Sequence, residues 1–447
     1  MRFPHSPLLV LLVLSGVLTI GLSGCLLASR GARDLGPGHR HLPTHKPVIS
    51  SPIGADLDGD GDMEIAVGSW DGRFYVLDTH LNLLPGWPRR SQRGFFSSPA
   101  LVDLDQDGDS EIVVGSDRGR VYAWHHDGAP LEGFPVDMGY QVWSSPTVLD
   151  GPAVHDGPAL AIGGNGQMHV LQADGDPQPG WPRPMEGWAD ATAAFDGEVL
   201  AITSLSPGDP SRGWVHAWGI DGQLLLGFPV DLSMDSDSSP ALADFDADGR
   251  PWVVFGDDAG LLHVLDAQGA ARHGFPVSTL GVVDGPTPTP HPPGGNVRSI
   301  EASPAVADLE GDGTLEIVVG SWDGRVYAWD DAGASLPGWP VEVDDQVISS
   351  AALVDLDGDG GLDVVVGSKD GRLHGWTTAG LPLPGFPYDL GAPVHSSPWV
   401  GDLDGDGGAD VVVGANNGVH LLQNVGPLGR APWPMFHRDA HHTGAVR

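Results

Sequence analysis

Short apolar runs, punctuated by turn residues, recur along the whole chain. One stretch reads SPALVD (98–103), EIVVGS (111–116), GRVYAW (119–124) and FPVDMGYQVW (134–143). Val, Ile, Tyr and Trp fill these runs, and such side chains pack well on a pleated, half-buried surface. Gly, Asp and Pro separate them and favour turns. The pattern predicts four short strands joined by tight turns rather than helices, and the chain's 66 Gly and 40 Pro agree with it.

The stretch is one copy of a repeat. The second position of a Ser-Ser-Pro-like tripeptide falls at Ser51, Ser98, Ser145, Ala191, Ser239, Ser303, Ser350 and Ser397, spaced 47, 47, 46, 48, 64, 47 and 47 residues apart. An aromatic residue followed by Pro stands 36 residues later each time, at Trp87, Phe134, Trp181, Phe228 (37 here), Phe275, Trp339, Phe386 and Trp433. Four strands in such a unit are the content of one β-propeller blade. The expected fold is all-β, an eight-bladed propeller over residues 47–447, with seven blades as the alternative if one degenerate unit forms none. The long sixth spacing carries GVVDGPTPTPHPPGGNV (281–297), whose prolines exclude a central strand and suggest a protruding loop.

Between the first and second predicted strands, six units place acidic residues at alternate positions. Counting Asp56 as position 1, the carboxylates are Asp56, Asp58, Asp60 and Glu64, with Gly61 at position 6. The pattern returns as Asp103, Asp105, Asp107 and Glu111; as Asp308, Glu310, Asp312 and Glu316; as Asp355, Asp357, Asp359 and Asp363; and as Asp402, Asp404, Asp406 and Asp410. A sixth copy, Asp244, Asp246 and Asp248, has Trp252 at position 9 and should bind more weakly. Units three and four keep only Asp150 and Asp196. Carboxylates alternating in a tight loop suit calcium, which takes six to eight hard oxygens in flexible geometry. An EF-hand would need Glu at position 12, where these copies carry Val or Phe. The loops resemble the calcium-binding β-hairpins of the FG-GAP/VCBS repeat family, the type found in integrin alpha-subunit propellers. That resemblance implies five strong calcium sites and one weaker one, with a bracing role.

Acidic residues number 59 against 22 basic ones, for a net charge of -37. Such a field repels nucleic acid and anionic lipid and attracts cations. The one cysteine, Cys25, excludes an internal disulfide. It follows a 13-residue apolar run, Leu8–Ile20, and the residues Leu22-Ser23-Gly24. This resembles the bacterial lipoprotein signal, implying removal of residues 1–24, acylation of Cys25, and attachment to the cell envelope, with the outer membrane expected. Residues 25–46, with His39, His41 and His45, read as a flexible tether. The C-terminal WPMFHRDAHHTG (433–444) stands where unit eight would have its fourth strand and resembles the terminal motif of bacterial repeat propellers, with His437, His441 and His442 in packing roles.

Neither GxSxG, HExxH nor a Gly-rich phosphate loop occurs. The expected function is a lipid-anchored, monomeric binding or adhesion module for a protein or polysaccharide. The alternatives are an enzyme on the same fold (a polysaccharide lyase or a quinoprotein dehydrogenase) and an envelope assembly scaffold. The aromatic GRVYAW runs resemble quinoprotein propeller repeats as well.

Overall fold

The structure, a computed structural model, describes residues 31–151, 154, 157–279 and 298–446. Cys25 with its signal segment and the 281–297 insertion lie outside the described residues. Each unit folds outward from its first strand as an antiparallel meander. In unit one the strands are Ile53–Ala55, Glu64–Gly68, Arg73–Leu77 and Arg89–Arg90. The eight first strands stand side by side round a common axis, and Trp399–Gly401 of unit eight returns to touch Ile53–Ala55 of unit one. Units three and four also join at their rims through Trp188 and Leu205. The result is an eight-bladed β-propeller whose Val, Ile, Leu and Trp side chains form cores between successive blades.

The ring closes differently from the sequence expectation. Blade eight has three strands of its own, Trp399–Gly401, Gly408–Ala415 and Gly418–Pro427. Its outer strand is His39–Pro43, paired antiparallel from His39↔Leu422 to Pro43↔Gly418, with Arg33–Gly36 added outside. Residues 33–43 are therefore part of the propeller rather than of a flexible tether, since His39–Pro43 supplies the fourth strand that blade eight lacks. His39 and His41 join His420 rather than standing in a solvated tether. The His41 ring stacks on His420 at 4.3 Å, and His39 Nε2 lies 3.0 Å from His420 Nδ1.

The C-terminal segment does not supply that outer strand either. It runs into the channel and satisfies backbone groups of the innermost strands. Trp433, Pro434, Ala440, His441 and Thr443 accept hydrogen bonds through their carbonyls from the amides of Leu353, Val400, Leu101, Val148 and Phe195. Ala445–Val446 then pairs in parallel with Leu242 and Ala243. Inner-strand amides facing a channel need partners, and this segment provides them for six blades. His437 and His442 are buried, held through Nδ1 by the carbonyls of His442 (2.8 Å) and Pro146 (2.9 Å).

The repeat has a physical origin in a belt of hydroxyl groups. The amide of Ser51 donates to Ser98 Oγ at 2.9 Å, Ser98 to Ser145 Oγ at 2.9 Å, Ser145 to Thr192 Oγ1 at 3.1 Å and Thr192 to Ser239 Oγ at 2.9 Å. Ser303 continues to Ser350, Ser350 to Ser397, and Ser397 back to Ser51, each at 3.0 Å. Thr192, not Ala191, is thus the equivalent position in unit four. With that correction every spacing is 47 except the one holding the insertion, and Phe228 falls 36 residues on like the other aromatics. The preceding Ser works within its blade: Ser97 Oγ accepts from Gly115 N at 3.1 Å, and Ser349 Oγ from Gly367 N at 3.1 Å. Those glycines are required because a Cβ would meet Val142 at 2.5 Å or Val394 at 2.2 Å on the next blade.

Ser145→Ala would leave the buried Ser98 amide without its acceptor. A loss of about 1–3 kcal/mol is expected in urea unfolding. Unchanged stability would mean that the belt is incidental.

Candidate functional site

The acidic loops connect the first and second strands of their blades. In all six the position-1 Asp accepts the amide of the position-6 Gly, from 2.7 Å (Asp244–Gly249) to 3.2 Å (Asp355–Gly360). Gly61 and its equivalents take positive φ, 95° at Gly61 and 104° at Gly108, which a Cβ would disfavour. Five loops add a buried acid at position 9. Glu64, Glu111, Glu316, Asp363 and Asp410 each accept the amide of the Leu at position 2, at 2.7–3.0 Å.

Among the described residues, Glu64, Glu316, Asp363 and Asp410 have no cationic side chain acting on them, whereas Glu111 meets His125. Burial, reinforced by the neighbouring loop carboxylates, pushes Glu64 and Asp363 up to about 7. Glu316 rises to about 6, and Glu111 and Asp410 rise from their usual range, burial again being the main cause. Ligand oxygens gather in four of the loops. The sets Asp56/Asp58/Glu64, Asp103/Asp105/Asp107, Asp355/Asp357/Asp359 and Asp402/Asp404/Asp410 each lie mutually within 4.8 Å. His125 joins Asp105 and Glu111 in a fifth set, its Nδ1 being 3.0 Å from Glu111 Oε1. An all-carboxylate donor set fits a hard divalent cation.

Units five and six treat the same crowding differently. In unit six, Thr314 Oγ1 donates among Asp312 Oδ1 (2.6 Å) and Glu316 Oε1 (2.9 Å). In unit five a guanidinium lies against the loop. Arg272 Nη1 donates to both oxygens of Asp246 at 3.0 Å, and Nη2 to Asp331 of the next blade at 2.9 Å. The guanidinium lies over Trp252 at 4.8 Å, and Trp252 Nε1 donates to Asp246 Oδ2 at 3.0 Å. The loop that has Trp252 at position 9 is thus neutralised at Asp246 by an internal cation.

A second candidate site went unrecognised in the sequence. At the end where the inner strands begin, the channel opens as a funnel of about 370 Å³. Each blade contributes the hydroxyl of the belt and the residue two places before it. Asp190, Asp237 and Glu301 of blades four to six form one arc. Ile49, Phe96 and Trp143 of blades one to three form the other, with Phe96 stacked on Trp143 at 5.4 Å. Ile348 and His395 separate the arcs, and Phe436 of the C-terminal segment lines the interior. Burial raises Asp190 to about 6 and Glu301 to about 7, with Asp258 adding to the rise at Glu301. Asp237 is raised well above its usual range by burial and then by Glu301 and its other acidic neighbours. The available signal was the residue directly before the Ser-Ser-Pro-like tripeptide, which is acidic in three consecutive units once Thr192 takes the register position in unit four.

No protein-family model matches this chain, and no curated protein does. Solved structures do resemble it. Sqt1 from Saccharomyces cerevisiae is 14% identical with a TM-score of 0.63, covering 87% of this chain and 98% of that one. A europium-containing methanol dehydrogenase is 15% identical with a TM-score of 0.61, covering 88% and 86%. BamB from Moraxella catarrhalis is 17% identical with a TM-score of 0.53, covering 84% and 96%. At these identities the likeness is one of fold.

Two outcomes are expected. Arg272→Ala leaves Asp246 and Asp331 without their cation and should cost about 1–3 kcal/mol in chemical denaturation; no loss would remove the internal-cation account. Glu301 binds its proton more tightly in the folded chain than in the unfolded one. Its favourable contribution is complete below about pH 4.5 and is lost as the pH rises through about 7. Glu301→Gln should therefore exceed the parent in stability at pH 8, on the order of 1–2 kcal/mol, with the gain shrinking toward pH 5. A pH-independent difference would assign the effect to packing. Asp237, Asp258 and Lys369 face this group.

Proposed function

We propose that this protein is a calcium-braced propeller of the FG-GAP/VCBS type, acting as a binding module for a protein or glycan and held at a bacterial envelope by a lipid on Cys25. The calcium half rests on one observation, the loop carboxylates of blades one, two, seven and eight gathered within 4.8 Å of one another. Asp56, Asp58, Asp60 and Glu64, and their equivalents in the other full loops, would hold the metal. Bound calcium would supply the positive charge that the position-9 acids of blades one, six, seven and eight lack. At ~1 mM calcium and a dissociation constant of ~0.1–1 mM, each site would add roughly 0.4–1.4 kcal/mol.

Support for the binding half comes from the architecture. A rigid ring carries loops on both faces, the arrangement in which recognition is placed most readily. The dehydrogenase reading meets an electrostatic obstacle. An anionic quinone cofactor in the channel would face Asp190, Asp237 and Glu301 at close range.

EGTA is expected to lower the melting temperature of the soluble chain, calcium to restore it, and magnesium to do so poorly. Titration calorimetry should give five sites, with the blade-five loop silent because Arg272 already neutralises Asp246. Asp105→Ala should remove one of the five. Absence of both calcium heat and an EGTA effect would reduce these loops to plain turns.

A further inference from the structure

We infer that the funnel at the channel mouth binds an organic cation, an ammonium or guanidinium head on an apolar or aromatic body. The two arcs divide the labour. Asp190, Asp237 and Glu301 come from three adjacent blades and converge from one side. Asp237 Oδ1 has no hydrogen-bond partner within the protein although it is closed off from bulk solvent. A carboxylate oxygen held in this way is a strong acceptor for a charged N–H donor. Its neighbours Asp235 and Asp258 are also acidic, so the local field favours positive charge. The opposite arc presents Trp143 and Phe96 as a stacked pair, a surface for an apolar body or the flank of a cation. Trp143 is fixed by its indole N–H, which donates to Asp117 at 3.1 Å.

The same geometry argues against a bare metal ion. The sets of three ligand atoms that close within 4.8 Å among the described residues lie in the loops, not in the funnel. A volume of about 370 Å³ instead matches a small organic molecule or one long side chain. Lys369 is the cation that acts on Glu301 and His395. It is engaged with Gln346 Oε1 at 2.6 Å and lies over Trp322 at 5.3 Å, outside the funnel lining. His395 Nε2, also without a protein partner, offers a further polar contact.

The test is calorimetric titration of the calcium-loaded soluble chain at pH 8 with phenethylammonium, 2-phenylethanol and 3-phenylpropanoate. Saturable binding of the cation at least tenfold tighter than its neutral isostere is expected, with none of the anion. Asp237→Asn keeps the shape, relieves the unpartnered carboxylate and should fold well, yet weaken the cation at least tenfold. Glu301→Gln provides an independent check, and Trp143→Ala should weaken binding as well. Asp105→Ala, in a calcium loop at the other end of the inner strands, should leave it unchanged, so failure of the calcium reading and failure of this one are separable. A blocked tetrapeptide carrying a single lysine, run in parallel, distinguishes a free amine from a side chain presented by a partner protein; binding of either supports the inference. Binding of neither, equal binding of the neutral isostere, or full binding by a folded Asp237→Asn would overturn it.

Discussion

The hydrogen bond from a blade's first amide to the hydroxyl of the next blade, made at seven of the eight junctions, constrains everything else in the ring. Where eight strands converge on one axis, backbone amides face a neighbouring strand that cannot pair with them as a sheet. A short side chain carrying an acceptor fills that gap, and Ser or Thr has the reach for it. The hydroxyl must appear at the same height in every blade, which is why its spacing stays at 47 residues at every junction but the one that carries the insertion. At the junction that carries the insertion, Ser238 Oγ donates to the Ala302 carbonyl at 3.0 Å. Extra length is thus absorbed outside the belt while the two blades remain hydrogen-bonded.

With the blades fixed in this way, the two ends of the inner strands face the same electrostatic problem. At one end, hairpins concentrate carboxylates in chain stretches too short to separate them. Blades one, two, seven and eight gather carboxylates within reach of a single ion, with His125 beside the blade-two loop and the Gln423 and Asn424 amides donating into the blade-eight loop; blade six inserts the Thr314 hydroxyl, and blade five brings in Arg272. At the other end, three carboxylates meet across blades rather than within a loop, and burial holds their protons to higher pH. A net charge of -37 makes either end a natural sink for cations. The form differs: the oxygens of the loops lie close enough to surround an ion, and those of the funnel surround a larger space.

Much of this was legible in the residues because it is periodic. Ser-Ser-Pro marks the belt, the aromatic-Pro pair marks the outer strand, and the Gly before the second-strand Ser marks where the next blade's Val or Ile packs. Trp87 and Trp339 show why the aromatic is kept, each donating through Nε1 to a carbonyl of the following blade at 2.8 Å. What was not legible is what breaks the period. His39–Pro43 pairs with a strand nearly the whole chain away, and its composition of His, Arg and Pro resembles a linker. Trp433 keeps the spacing of an outer strand, but the ring has already been closed by the N-terminal strand, so the segment turns inward. The funnel acids are single residues dozens of positions apart, each ordinary alone and joined only by the symmetry of the ring.

The inward turn of the C-terminal segment also decides how the funnel can work. Its carbonyls occupy inner-strand amides of blades two, three, four, seven and eight, and its last residues extend blade five. Phe436 is held beside the buried His437 and His442, with ring centroids 5.3 Å from each, and forms part of the funnel lining. A ligand that enters between the acidic and aromatic arcs meets this segment through Phe436. The inward turn thus makes the last residues of the chain part of the site, since the depth of the funnel is set by where Phe436 is held.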